Sequence, residues 1–531
     1  MRRSWKWVVS LAIMIAMSSA TRGQEKHDIA PGPFEPSWES LEKNYKCPEW
    51  FRDAKFGIWA HWTAQCVPEM GDWYARKMYF QDDQDYNDHV ARYGHPSEVG
   101  FMEMDNRWKA QHWEPEKLIE LYKNAGAKFF VALANHHDNF DCYDSKYHAW
   151  NSVRIGPKKD IVGTWEKAAR AAGLKFGVSN HSAHAWHWFQ PAYGYDPEGP
   201  KAGVRYDAFT LKKEDGVGRW WEGLDTQDLY TGATLVMPDG IKTTKEARQW
   251  HDKHDGEWFE DCPNNPKFVQ HWFLRAQDLV DKYHPDLLYF DDTRLPFGQT
   301  GLDIAAHYYN SNIAKNGSLQ AVLTAKKLLP ERRAAMVEDY ERGAPEDLKP
   351  LPWQTCSCIG EWHYHKGIKY KSVAQVMRQL VDIVSKNGTL LLSIPVRGDG
   401  TIDDDEIAFL DGFGKWMKTN GEAIYNTRPW KTFGEGPAKT AGGMFNEGKM
   451  KYGPEDIRFT AGKDGNLYLF VMAKPTADIV VKSLGGEKIA SVKMLGSDET
   501  IKFDQADGAL KIQKPASFPD EDVVAFKVTL N

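Results

Sequence analysis

The chain has 531 residues, 42% of them hydrophobic, so it is too long for one small domain and apolar enough to build a large core. A formal net charge of -7, with both signs mixed, argues against a nucleic-acid binder, which needs a concentrated basic surface. Twenty-two tryptophans fit either an aromatic core or a set of flat faces for sugar rings, and composition alone leaves the two even.

The first element is MRRSWKWVVSLAIMIAMSSATRG, in which Arg2, Arg3 and Lys6 precede an apolar stretch over 7–17 and then small residues. That order is a secretory signal peptide at 1–23, and its apolar part is too short to span a bilayer comfortably. The expectation is an exported protein, periplasmic or extracellular, with no membrane segment after cleavage. Six cysteines, Cys47, Cys66, Cys142, Cys262, Cys356 and Cys358, are too few for a disulfide scaffold of this length. Cys356 and Cys358 form a C-x-C without a matching second pair, a weak zinc signal.

From about residue 50 to 400, amphipathic helices alternate with short apolar strands that end in polar residues. KFGIWAHW at 55–62 is the first strand. In EPEKLIELYKNAGAKFFVALANHHD, Leu118, Leu121, Tyr122 and Ala125 recur at helical spacing, Gly126 marks the stop, and a strand follows over 127–134. DIVGTWEKAARAAGLKFGVSNHSAH repeats the unit, with Gly173 and a strand near 174–179. The long stretch NPKFVQHWFLRAQDLVDKYHPDLLYFDD places Val269, Trp272, Phe273, Ala276, Val280 and Tyr283 on one helix face. Its strand over 286–290 runs into Asp291 and Asp292. AVLTA at 321–325, AMVEDYE at 335–341 and a strand over 389–394 bring the total to about seven or eight.

Such alternation implies a parallel sheet, and a (β/α)8 barrel or a distorted relative fits best because polar residues gather at so many strand ends. The C-terminal strand ends of these barrels build the active site, and His61, His136, His137, His181, Asp291 and Glu341 all fall there. The segment at about 190–260 breaks the pattern and is rich in Gly, Asp and Trp; a loop of that length is expected to be a lid or rim over the pocket. Beyond 425 the runs shorten and alternate without helices, as in GNLYLFVMAKP and VVAFKVTL. The expected organisation is therefore a barrel over 24–425 and a β-sandwich over 426–531.

The pair His136–His137 follows an apolar strand, where histidines hold a metal, move protons or grip a polar ligand. Adjacent residues of a strand point apart, so these two could share one ion only with help from His61 or His181.

Several blocks, in order, resemble the α-L-fucosidases of glycoside hydrolase family 29. They are WFRDAKFGIWAHW with GDWYARKMY, NHHDNF with DSKYHAWNSVRIGPKKDIVG, HPDLLYFDD, and PWQTCSCIGEWHYH with YKSVAQVMRQLVDIVSKNGTLLLSIPVRGDGTI. Together with NGEAIYNTRPWKTFGEGP they cover most of residues 40–440. The resemblance implies exo-acting, retaining hydrolysis of terminal α-L-fucosides without cofactor or metal, the partner being a fucosylated oligosaccharide or polysaccharide. Retention needs a carboxylate nucleophile and a second carboxyl group as acid and then base. The family's P-D-x-L-W-x-D pattern reads here as Pro285 to Asp291, which carries the nucleophile to Asp291, with Asp292 as rival. The acid/base candidate is Glu341; Glu338, Asp339 and Glu361 compete.

The resemblance also gives sugar contacts to His61, His136, His137 and Trp73, with Asp72 standing where the family has glutamate. Neutral imidazoles suit ring hydroxyls because they donate and accept without an obligatory charge. Tyr289, Phe290 and Trp353 are expected pocket walls, and His181 and His184 are expected at the rim or the aglycone side. Asn135, Asn139 and Thr63 depart from the family's lysine, glycine and glycine. Those departures leave open an L-galactoside or sulfated-fucan substrate, or a binding protein on an inactive barrel.

Overall fold

The computed structural model describes residues 27–255, 265–439, 442–520 and 522–531; the expected signal peptide at 1–23 and Cys262 lie outside them. Eight parallel strands close into a barrel in chain order: β1 Phe56–Ala60, β2 Phe129–Asn135, β3 Lys175–Asn180, β4 Leu287–Thr293, β5 Val322–Lys326, β6 Val337–Asp339, β7 Trp353–Cys358 and β8 Gly388–Ser393. The seam is β8 against β1, with Leu390 opposite Phe56. The expected (β/α)8 class is therefore the one adopted. Strands covered on both faces read as nearly continuous apolar runs, which is why FFVALA and LLYF are visible in the sequence.

Helices Pro115–Asn124, Ile161–Ala171, Pro266–Tyr283, Gln299–Asn316 and Val373–Ser385 precede β2, β3, β4, β5 and β8. Their starts are written locally. Asp160 accepts from the Gly163 amide, and Ser372 and Gln375 cap each other's backbone reciprocally. The barrel is irregular on one side: β5 reaches β6 through the 3-10 turn Pro330–Arg332, and no α-helix joins β6 to β7 among the described residues. Gly57 on β1 makes room for the Phe129 side chain of β2, since a Cβ there would come 2.4 Å from that ring.

Helix Pro266–Tyr283 sends Arg275 into the protein, where its guanidinium meets Asp141 at 2.6 and 3.1 Å and Asn139 Oδ1 at 2.6 Å. Both members of the ion pair are buried. This pair fixes the loop after β2 that carries the histidines. Arg275→Ala would leave Asp141 buried without its cation, and a loss of about 3–5 kcal/mol is expected. A urea midpoint shift at unchanged m measures it, and a change under about 1 kcal/mol would mean that the loop is held elsewhere.

Beyond the barrel, β9 Thr427–Arg428, β10 Gly434–Glu435, β11 Ile457–Gly462, β12 Leu467–Val471, β14 Ile489–Met494 and β17 Val524–Leu530 form one antiparallel sheet. β13 Ile479–Val481, β15 Phe503–Ala506 and β16 Ala509–Ile512 form another. Side chains from both, among them Phe459, Leu469, Val481, Leu510 and Phe526, share a second core. The larger sheet is tied to the barrel by a buried triad in which Asp382 takes Arg458 at 2.7 Å and Lys386 at 2.9 Å. No described helix is long and apolar enough to cross a membrane.

Of the insertion expected as a lid or rim at about 190–260, residues 256–260 lie outside the described residues, and none of 190–255 lines the barrel pocket. Its polar and aromatic side chains are used in packing. Tyr206 and Tyr86 donate to Asp196 at 2.7 and 2.6 Å, while Tyr79 donates to Asp207 at 2.9 Å, with Tyr230 on the other Asp207 oxygen. These aspartates and tyrosines build a buried network with Tyr79 and Tyr86.

Candidate active site

A cavity of about 390 Å³ opens at the C-terminal ends of the strands. A larger, more open depression of about 690 Å³ lies beside Lys123, Lys128, Lys415 and Lys418, where no two acids face each other. The chemistry is therefore assigned to the first. β4 delivers Asp291, β5 delivers Lys326, and Glu341 stands just past β6; all three line the cavity.

Lys326 bridges the two acids, its ammonium donating to Asp291 Oδ1 and to Glu341 Oε2. Two oxygens bonded to one nitrogen stand no farther apart than two hydrogen bonds, roughly 5–6 Å. The other Asp291 oxygen accepts from His181 Nδ1 at 3.0 Å and lies 3.4 Å from His137 Nε2. Burial pushes the Asp291 carboxyl up, but Lys326, then His181 and His137, outweigh it and hold the group well below the usual carboxylate range. For Glu341 the balance is reversed: burial raises it, Lys326 pulls it down, and the Asp291 charge adds to the rise, so it titrates above an ordinary glutamate. The environment thus pushes the two carboxyl groups apart in acidity, Asp291 downward and Glu341 upward, the direction that acid–nucleophile chemistry requires.

The competing acids are placed elsewhere. Asp292 turns from the cavity toward His184 at 3.7 Å. Glu338 pairs with Arg333 at 2.7 Å, and Glu361 is exposed beside His365 at 3.4 Å. Asp339 sits deeper in the barrel, bonded to Gln354 and Cys356 at 2.9 Å, and burial lifts it to about 6.

The histidines form a wall. His61 Nδ1 meets Ser393 Oγ at 3.0 Å, His136 Nδ1 meets the Gln65 amide at 3.0 Å, and His363 Nδ1 meets Asp72 at 2.7 Å. Burial first, then neighbouring histidines, pushes His61 and His136 well below the ordinary imidazole range. Burial lowers His181 to about 4 despite the Asp291 charge. These rings are neutral near pH 7. Nε2 of His181 and of His363 meets no hydrogen-bonding partner among the described residues. His136 and His137 lie just past β2, where strand alternation no longer applies, so both face the cavity with ring centroids 4.3 Å apart. Ligand atoms of His136, His137 and His181, and of Asp72, His136 and His363, fall within 4.8 Å of one another, so either triad could hold a transition-metal ion.

Of the expected walls, Tyr289 lines the cavity and packs on Trp59 with ring centroids 4.7 Å apart. Trp73 also lines it, with φ +69°, a conformation that bulky side chains rarely adopt. Trp353 does not. It is the first residue of β7, at the opposite end of the barrel, where its indole donates to the Lys386 carbonyl at 2.8 Å and covers Gly388. Phe290 faces outward onto Trp272. His184 holds the β4 backbone, Nε2 to the Asp291 carbonyl at 2.9 Å, rather than standing at the rim.

The departures in sequence are absorbed outside the cavity. Asn139 has φ +60°, a position where glycine is easiest and asparagine next. Asn135 bonds Asp141 at 2.9 Å, and Thr63 donates to Asp138 at 3.2 Å. Seven lining residues are not among the candidates drawn from the sequence: Trp59, Thr293, Lys326, Lys327, Trp362, Met444 and Phe445.

A model of the alpha-L-fucosidase family matches residues 22–422. Tissue alpha-L-fucosidase of Rattus norvegicus is 26% identical over 446 residues, covering 82% of this chain and 81% of that protein. The Homo sapiens tissue alpha-L-fucosidase is 26% identical over 412 residues, 76% of this chain and 74% of its own. Among solved structures, Thermotoga maritima alpha-fucosidase in complex with fucose aligns with a TM-score of 0.67 at 26% identity, over 93% of this chain and 100% of that one.

Proposed function

The chain belongs to the alpha-L-fucosidase family and is a glycoside hydrolase, and from that premise we propose that it releases terminal α-L-fucosyl residues from oligosaccharides or polysaccharides by retaining double displacement. The observation that carries this reading is the pair Asp291 and Glu341 meeting at one ammonium. Their reach matches the roughly 5 Å that a covalent glycosyl-enzyme needs; a separation of roughly 6.5–9.5 Å would leave room for water and invert.

Asp291, ionised and acceptor-bonded on both oxygens, attacks the anomeric carbon. Glu341 gives its proton to the departing glycosidic oxygen, becomes a carboxylate, and then takes a proton from the water that releases fucose. Lys326 stays charged between them. Burial would lower its pKa, but the two acids outweigh that and raise it well above the ordinary value. Neutral His61, His136 and His181, with His363 oriented by Asp72, hydrogen-bond the sugar hydroxyls, while Trp59 and Tyr289 close the floor so that only a chain end enters. Proton NMR during hydrolysis of an aryl α-L-fucoside tests the stereochemistry: the first fucose formed should be the α anomer, and β fucose first would refute retention.

Lys326 favours the ionised form of both acids, so removing it raises both pKa values. For Lys326→Met, the acid and basic limbs of the kcat/KM profile are each expected to move to higher pH by roughly one unit or more. Limbs that stay in place would show that the ammonium does not set the protonation of the pair.

A further inference from the structure

The stretch 443–447 belongs to none of the barrel strands, yet it reaches the cavity mouth, where Met444 and Phe445 join the lining. It is pinned to the loop that carries Glu341. Gly443 N donates to Ala344 O at 3.0 Å, Phe445 N to Glu341 O at 2.9 Å, and Asn446 and Glu447 N both to Arg342 O at 3.0 Å. The approach is so close that a Cβ at Gly343 would stand 2.0 Å from the Gly443 carbonyl oxygen. The far end is anchored by the Glu447 carboxylate, which takes Ser357 at 2.6 Å, Arg342 and Lys371 at 2.8 Å, and Gln379 at 3.0 Å.

On this rigid support the tip is left out in water. Phe445 is 64% exposed and has φ +55°. A single exposed apolar side chain means little by itself. Here the exposed ring is combined with left-handed backbone that a bulky residue rarely accepts, at the lip of a polar cavity. Its amide is bonded to the carbonyl of Glu341 itself, so residue 445 is held beside the residue that carries the acid, and both line the cavity. If Glu341 protonates the glycosidic oxygen, the leaving group departs on that side, outside the ring held by the histidines.

The geometry points to Phe445, flanked by Met444, as the platform of a second sugar subsite that takes the C–H face of the pyranose carried as leaving group. This inference rests on the fucoside-hydrolase reading above and adds the recognition of what is attached to the fucose. The phenyl ring offers no hydrogen bonds, so the subsite selects a flat apolar face rather than a hydroxyl pattern.

The test compares α-L-fucosyl fluoride, whose leaving group is too small to touch the platform, with a fucosyl-hexose disaccharide in the wild type, Phe445→Ala and Phe445→Trp. The ratio of kcat/KM for disaccharide over fluoride is expected to fall about tenfold in the alanine variant, equivalent to about 1.4 kcal/mol, and to stay within about twofold of wild type in the tryptophan variant. An unchanged ratio in Phe445→Ala, including one where both substrates slow together, overturns the subsite. A wild type that cleaves both substrates with an indifferent alanine variant removes only the platform. A wild type that cleaves neither removes the functional reading and the platform with it.

Discussion

Asp291→Ala is expected to lower kcat/KM for an aryl α-L-fucoside by at least about 10³-fold, the order of loss seen when a covalent nucleophile is removed. The change removes the only carboxylate that Lys326, His181 and His137 jointly hold in the ionised state. It leaves Glu341 and most of the histidine wall in place, so substrate still binds and its leaving group can still be protonated. The missing carboxylate opens a space on the face opposite the glycosidic bond. Added azide should fill it, restore part of the turnover and yield β-L-fucosyl azide, with the configuration inverted by a single displacement. Near-normal activity without azide would exclude Asp291, and rescue that yields the α-azide would contradict the direction of attack.

Glu341→Ala should divide substrates by their leaving groups. A natural disaccharide, whose departing alkoxide needs a proton, is expected to lose about 10²–10⁴-fold in kcat/KM, the range typical for a lost general acid. An aryl fucoside with an acidic phenol should lose far less in that step and then slow at release of the fucosyl-enzyme, because in the proposed mechanism the same residue is the base for water. With Glu341 as the general acid, the basic limb of the wild-type profile should follow its raised carboxyl and vanish in the variant. Equal losses for both substrates, or a retained basic limb, would return the acid role to the nearby carboxyls. Of these, Asp339 is the most deeply buried, and burial lifts it to about 6.

The barrel was legible where its strands are apolar and silent where they are not. β7 is Trp-Gln-Thr-Cys-Ser-Cys, and its Gln354, Thr355 and Ser357 are buried by hydrogen bonding instead of hydrophobicity, so no apolar run announces it. Without β7 in register, Trp353 could be imagined at the pocket, although as the strand's first residue it lies at the other end. Lys326 was within reach. The strand reading stopped at Ala325, and one more residue of β5 places the lysine at the same level as the other strand-end groups. Strand alternation would turn the two histidines apart, but β2 ends at Asn135 and a period of two says nothing past a strand's end; the expected need for His181 beside the pair agrees with the triad the fold assembles. Phe445 had no sequence signal. It arrives from beyond the barrel in AGGMFNEGK, a stretch with neither helical nor strand period, and backbone bonds to residues 341–344 together with the Glu447 anchor bring it to the mouth.

Trp59 and Tyr289 seal the cavity beneath the reacting pair. Under the proposed double displacement the aglycone departs before water attacks, so fucose is the last product out and leaves the space that the next glycan needs. Free fucose should therefore behave as a purely competitive inhibitor, raising KM and leaving kcat untouched.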